Sequence, residues 1–176
     1  EEVEYIVSDC QAKAFITSKS QQHLVEKLSL DHCHSFMVDG VAAGFNSWEE
    51  SLAEMPAEKI ADESIGVQML YSSGTTGRPK GVYKPLPEGE YGVDEGPNLF
   101  GMLYGVSVDS IYLSPAPLYH AAPLTFTMGM LSMGVTCIVM QHFEAEASLA
   151  AIEKYEVTHS QWVPTMFIRM LKLDDD

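Results

Sequence analysis

Cysteine is scarce in this chain, with three residues in 176, Cys10, Cys33 and Cys137. An odd number at wide spacing excludes a disulfide framework and predicts a reducing, cytoplasmic compartment. Basic residues are few as well: ten Lys and Arg stand against 25 Asp and Glu, for a formal net charge of −15. Nucleic acid and anionic lipid both need clustered positive charge, so neither is expected as a partner. No apolar run reaches the roughly 18 residues of a membrane-crossing helix. No secretory leader pattern is present, and no internal repeat. The run Asp31-His32-Cys33-His34 has residue types that suit zinc, but no second ligand pair lies at a useful spacing, and no residue is assigned to a metal.

What remains is an ordinary globular balance, 46% hydrophobic and 20% charged, enough to build an apolar core. The acidic residues concentrate before residue 67, whereas the stretch from Val67 to Met140 carries few charges, as buried strands or a ligand-facing surface would. Short apolar runs alternate with helical patterns. Strands are predicted at Ala14–Thr17, Phe36–Val38, Ile65–Tyr71, Ile111–Leu113, Val135–Met140 and Ser160–Val163. Helices are predicted at Glu1–Asp9, Gln21–Leu28, Trp48–Met55, Asn98–Tyr104, Pro123–Met133, Ala145–Tyr155 and Pro164–Lys172. Pro123 and Pro164 suit first turns, and Gly134 suits a helix stop. The alternation predicts an α/β fold, a layered and largely parallel sheet flanked by helices. The stretch from Lys84 to Pro97, rich in Pro, Gly and acids, reads as a surface loop.

One segment carries chemistry: Tyr71-Ser72-Ser73-Gly74-Thr75-Thr76-Gly77-Arg78-Pro79-Lys80-Gly81. Glycines let backbone N–H groups approach an anion, and successive N–H groups can form an anion-binding concavity. The hydroxyls of Ser72, Ser73, Thr75 and Thr76 can donate to phosphate oxygens, and Lys80 adds positive charge. The run is not a Walker A loop, because Pro79 precedes the lysine and Gly81-Val82 follows it. On composition alone such a run is also compatible with a flexible turn.

The string itself, continued through Val82, resembles the signature loop of the adenylate-forming (AMP-binding) superfamily. Pro115-Ala116-Pro117-Leu118-Tyr119-His120-Ala121-Ala122-Pro123 resembles the Pro-Leu-Phe/Tyr-His segment that follows the loop in these enzymes, and Thr158-His159-Ser160-Gln161-Trp162-Val163-Pro164-Thr165-Met166 is similar to the Val-Pro-Thr segment of the fatty-acyl-CoA synthetases. Tyr5-Ile6-Val7-Ser8-Asp9-Cys10 resembles the helix before the first strand of their nucleotide-binding half. The resemblance implies an ATP-dependent reaction that activates a fatty acid as acyl-adenylate and passes the acyl group to CoA, with Mg2+ as helper. By position, Ser72, Ser73, Gly74, Thr75, Thr76 and Gly77 would hold the β- and γ-phosphates, with Lys80 in support. His120 and Ala121 would line the acid site, His120 as a gate or wall rather than a general base. Trp162 and Met166, with Met128 and Met133, would border an acyl tunnel, although ordinary core packing accounts for such residues equally well.

Segments that the resemblance leads one to expect are absent: Tyr-Gly-x-Thr-Glu, Thr-Gly-Asp and the small C-terminal domain with its catalytic lysine. Residues 1–176 are therefore expected to be a part of the large N-terminal domain, cut at both ends and inactive in isolation. Sheet edges bared in that way are expected to favour a homo-oligomer or swapped dimer. An aryl-acid ligase, a peptide-synthetase-type adenylation domain and a non-catalytic nucleotide-binding module are the alternatives.

Overall fold

The computed structural model describes residues 2–72, 77–89 and 99–173, with the side chain of Leu99 excepted. The chain divides into two compact units, residues 1–94 and 95–176. Each is α/β, and each is built on a short parallel sheet.

In the first unit, helix α1 (Glu2–Asp9) buries Val7. It ends in a Schellman turn: Ala12 N–H donates to Val7 O and Gln11 N–H to Ser8 O, both at 3.1 Å, with Gln11 left-handed at φ 52°. That turn closes the orphan carbonyls and sends the chain into β1 (Ala14–Ser18). Strands β1, β2 (His34–Val38) and β3 (Asn46–Ser47) form a parallel sheet in that order, with Ala14 opposite His34 and Phe36 opposite Asn46. Central strand β2 turns Ser35 and Met37 inward. Between β1 and β2 the predicted helix over 21–28 is shorter, a 3-10 turn (Lys19–Gln21) followed by α2 (Gln22–Val25). Neither piece has a side-chain cap. Helix α3 (Trp48–Ala53) has one: Ser47 Oγ accepts from the Glu50 N–H at 3.2 Å.

The unit also holds an antiparallel hairpin of β4 (Leu70–Ser72) and β5 (Lys80–Val82). Here the sequence-based expectation of a strand over 65–71 needs correcting. Only its end, Leu70–Ser72, is a strand, and its three residues pair with Val82, Gly81 and Lys80 of β5.

The second unit runs α4 (Leu99–Tyr104), β6 (Ile111–Ser114), α5 (Ala121–Ser132), β7 (Thr136–Val139), α6 (Ala145–Tyr155), β8 (His159–Ser160) and α7 (Pro164–Met170). Its parallel sheet has the order β7-β6-β8. The middle strand buries Tyr112, Leu113 and Ser114 in succession. A continuous buried run of this kind belongs to a parallel strand covered on both faces. Val106, Tyr112, Met130 and Val135 form the core, with Phe100, Phe126, Met133 and Cys137 packed against it. Gly129 makes that packing possible, since a Cβ there would lie 2.7 Å from Phe100 Cζ.

Helix α5 begins two residues before Pro123, which occupies its third position. An N–H missing there removes nothing from the helix ladder. Gly134 ends the helix as predicted, at φ 74°. Strand β8 ends at Ser160 rather than Val163, because its register on β6 stops at the Leu113–Ser160 pair and the chain then turns into α7 behind Pro164.

Candidate functional site

The hairpin of the first unit frames the Ser/Thr/Gly segment. Its register sets Tyr71 opposite Gly81 and Ser72 opposite Lys80, so a hydroxyl and an exposed ammonium stand at its mouth. Ser73, Gly74, Thr75 and Thr76 lie outside the described residues. Gly77 follows at φ 90°, a conformation open to glycine and strained for any residue with a Cβ. The return strand begins at Lys80, so the segment leads into a hairpin and not into the helix of a Walker A loop.

Helix α1 holds this frame. Tyr71 Oη donates to Asp9 Oδ2 at 2.6 Å, a short charge-assisted bond. Partial burial, with the Asp9 carboxylate next in weight, pushes the Tyr71 phenol well above the usual tyrosine range. Tyr5 Oη approaches the other Asp9 oxygen at 3.5 Å, and the Arg78 guanidinium lies over the Tyr5 ring, 5.5 Å from its centroid. A cleft of about 620 Å³, lined by Glu2, Glu4, Tyr5, Gly77, Arg78 and Pro79, opens beside these contacts.

The second unit carries a different cavity, about 350 Å³, lined by Tyr104, Tyr112, Phe126, Met130, Phe167, Trp162 and the segment His159-Ser160-Gln161. Phe126 meets Phe100 edge-on (5.3 Å, 74°) and Trp162 meets Phe143 likewise (6.2 Å, 80°), so the aromatic walls are braced from behind. His159 is fixed at both ring nitrogens. Nε2 lies 3.0 Å from Tyr104 O, an acceptor, and therefore carries a proton. Nδ1 lies 2.8 Å from Thr158 Oγ1, which also bonds the Ile111 backbone. Among the lining residues Gln161 Oε1 is buried without a hydrogen-bond partner, and Tyr112 Oη is buried beside the Ser114 and Thr127 hydroxyls without a well-formed bond to either. Burial, and after it the nearby Cys137, pushes the Tyr112 phenol up to about 12.

Of the acid-site residues predicted from sequence, Trp162 borders this cavity. His120 is the exposed N-cap of α5, its ring 4.4 Å from that of Tyr119, and Ala121 is exposed in the first turn. Neither is among the lining residues. Met166 is buried in α7, Met133 packs on the core and Met128 is 58% exposed. The methionine on the cavity wall is Met130. Sequence reading missed it along with Tyr104, Tyr112, Phe126, His159 and Phe167. Helical spacing of four between Phe126 and Met130 was the available signal. Asp9 and Tyr71 stand 62 positions apart, and nothing local pairs them.

Both units fall within one family match, to AMP-binding enzyme, over residues 1–176. The chain belongs to the AMP-binding enzyme family. Among curated relatives of this AMP-binding chain, 4-coumarate–CoA ligase-like 6 of Arabidopsis thaliana is 30% identical over 183 aligned positions, which cover 97% of the chain and 32% of the relative. The chain thus spans about a third of that relative's length. Among solved structures, the inhibitor-bound N-terminal domain of FACL13 from Mycobacterium tuberculosis superposes with a TM-score of 0.75 at 24% identity, covering 99% of this chain and 43% of that one. O-succinylbenzoate coenzyme A synthetase from Bacillus subtilis, solved with ATP and magnesium ion, gives a TM-score of 0.66 at 22% identity, covering 99% and 34%. At these identities the two structures speak to the fold alone: this chain shares their α/β architecture. Among the described residues, no helix is long and apolar enough to cross a membrane.

Proposed function

We propose that the chain is a portion of an AMP-forming acid–CoA ligase, supplying the seat for the ATP triphosphate and a wall of the acid pocket. The observation that carries this reading is the hairpin mouth, with Ser72 opposite Lys80 and Gly77 at φ 90°, inside the string that marks the family. In such a ligase a carboxylate oxygen attacks the α-phosphorus of ATP and pyrophosphate leaves. The thiol of CoA then attacks the acyl carbon and AMP leaves. Ser72, Ser73, Gly74, Thr75, Thr76 and Gly77 would donate to the departing pyrophosphate oxygens, and Lys80 would offset their charge. Mg2+ would add further charge neutralisation. Among the described residues no group of three His, Cys, Asp or Glu side chains could hold a metal ion.

The acid is read as a fatty acid, on the Trp162–Met166 segment and the adaptable Met130 wall. A second reading, an aryl acid bearing a polar ring substituent, is favoured by a specific observation. Five of the nine lining side chains are aromatic, and Gln161 Oε1 is buried without a partner. The free thiols of Cys10, Cys33 and Cys137 fit a cytoplasmic setting. Residues 1–176 alone are expected to show no acid-dependent exchange of pyrophosphate into ATP. The full-length polypeptide, given MgATP, tests the rest: exchange driven by palmitate or decanoate supports the fatty-acid reading, and exchange driven by 4-hydroxycinnamate the aryl one. A polypeptide that binds no MgATP removes both.

A further inference from the structure

The hairpin that frames the phosphate segment is joined to helix α1 by a closed series of side-chain contacts. Tyr71 on β4 donates to Asp9, Asp9 also receives Tyr5, and Tyr5 carries Arg78 from the far side of the segment on its ring face. Both ends of the 73–76 stretch are therefore tied to one turn of one helix, since Tyr5 and Asp9 are four residues apart. Each member has a cost that the series offsets. Asp9 closes a helix C-terminus, where the helix dipole disfavours a carboxylate. The Tyr71 ring lies across the hairpin onto Gly81, where an added Cβ would stand 3.0 Å from Tyr71 Cζ and overlap the Met69 side chain.

We propose that Asp9 and Tyr71 are positioning residues for nucleotide binding: their hydrogen bond, extended through Tyr5 to Arg78, holds the mouth of the phosphate hairpin in its binding-ready shape. This rests on the triphosphate reading of the segment. On that reading two jobs are separate: Lys80 and the hydroxyls of the segment would meet the anion, while Asp9, which is acidic, acts through Tyr71 and Tyr5. A tyrosine phenol is a donor throughout the physiological range. A carboxylate beside a polyphosphate seat would otherwise be repulsive; engaged by two phenols, its charge is spent on the frame.

The test is a double-mutant cycle in the full-length polypeptide with Tyr71→Phe, which keeps the ring on Gly81, and Asp9→Ala. Each single variant raises KM for MgATP about tenfold, the order of a charge-assisted hydrogen bond. The double variant is no worse than either single one, and kcat and KM for the acid are unchanged. Asp9→Asn, which keeps an acceptor oxygen, restores most of the affinity. Amide exchange at residues 80–82 is faster in Tyr71→Phe than in wild type by about tenfold, as for a locally loosened hairpin. Additive losses, or an unchanged KM for MgATP where wild type binds it, overturn the proposal. If wild type binds no MgATP, the triphosphate reading fails separately and the amide exchange decides: unchanged protection overturns the tie, and lost protection upholds it as a brace of the hairpin.

Discussion

The two units share a plan, three parallel strands with helices, yet hold themselves together differently. Among the described residues, the first unit buries Val7, Val25 and Met37 as its apolar core, whereas the second buries Val106, Tyr112, Leu113, Ala116, Met130, Val135, Ala145 and Met166. Beside its small core the first unit has directed contacts: Tyr71 to Asp9, Lys19 Nζ to Val41 O at 2.6 Å, Asp39 N–H to Glu49 at 2.8 Å. The difference follows from the ligands each is read to hold. A polyphosphate needs backbone N–H groups and charge at an open mouth, which forbids a deep apolar cover. An apolar acid needs a walled cavity, which a well-packed sheet and helix provide.

The contrast breaks most visibly under core truncation. Leu113, fully buried at the centre of β6, should cost about 2–5 kcal/mol as Leu113→Ala in urea denaturation. A loss below about 1 kcal/mol would mean that the second unit is not core-dominated. Next comes Gly81→Ala in the first unit. The added methyl meets the Tyr71 ring and Met69, and should cost about 1–3 kcal/mol and weaken MgATP binding with it. Third, Trp162→Ala removes a cavity wall and should raise KM for the acid about tenfold while leaving KM for MgATP alone. A shared effect on both would erase the division of labour.

The smallest effect is at Tyr112. Tyr112→Phe removes a buried hydroxyl that has no well-formed hydrogen bond and lies beside the Ser114 and Thr127 hydroxyls, and should leave stability within about 1 kcal/mol of wild type. Its pH signature has a definite sign. A folded phenol pKa of about 12 lies above the unfolded value of about 10. The fold therefore favours the neutral form, and this contribution is whole below pH 10 and fades as pH rises towards 12. Ultraviolet titration should show Tyr112 and Tyr71 ionising after the ordinary tyrosines, with Tyr112→Phe removing one late transition.

Legibility in the sequence divided by local signal and not by unit. Helix α6 was read at its observed bounds, because Leu149, Ile152 and Tyr155 announce a face and the helix stands clear of glycine and proline. The Schellman stop at Gly134 was visible for the same local reason. The identical stop at Glu156 was not, since a glutamate at φ 51° is held there by two carbonyls, Glu153 O and Ile152 O, and by nothing in its own chemistry. Strands β3 and β5 went unread because two or three residues carry no periodicity, and their existence depends on partners distant in sequence. At the site, Lys80, Gly77 and Trp162 could be named from motif strings. The tie of Asp9 to Tyr71 and the cavity walls from Tyr104 and Met130 come from tertiary packing, which leaves no local signature.

The central claim is that the segment from Tyr71 to Gly81 seats the outer phosphates of a nucleotide. Calorimetric titration of the full-length polypeptide with MgATP and, separately, with AMP tests it most directly, comparing wild type with Lys80→Ala. The account predicts that affinity for MgATP falls about tenfold while affinity for AMP, which lacks those phosphates, holds. Equal losses for both nucleotides, or none for either, would contradict it.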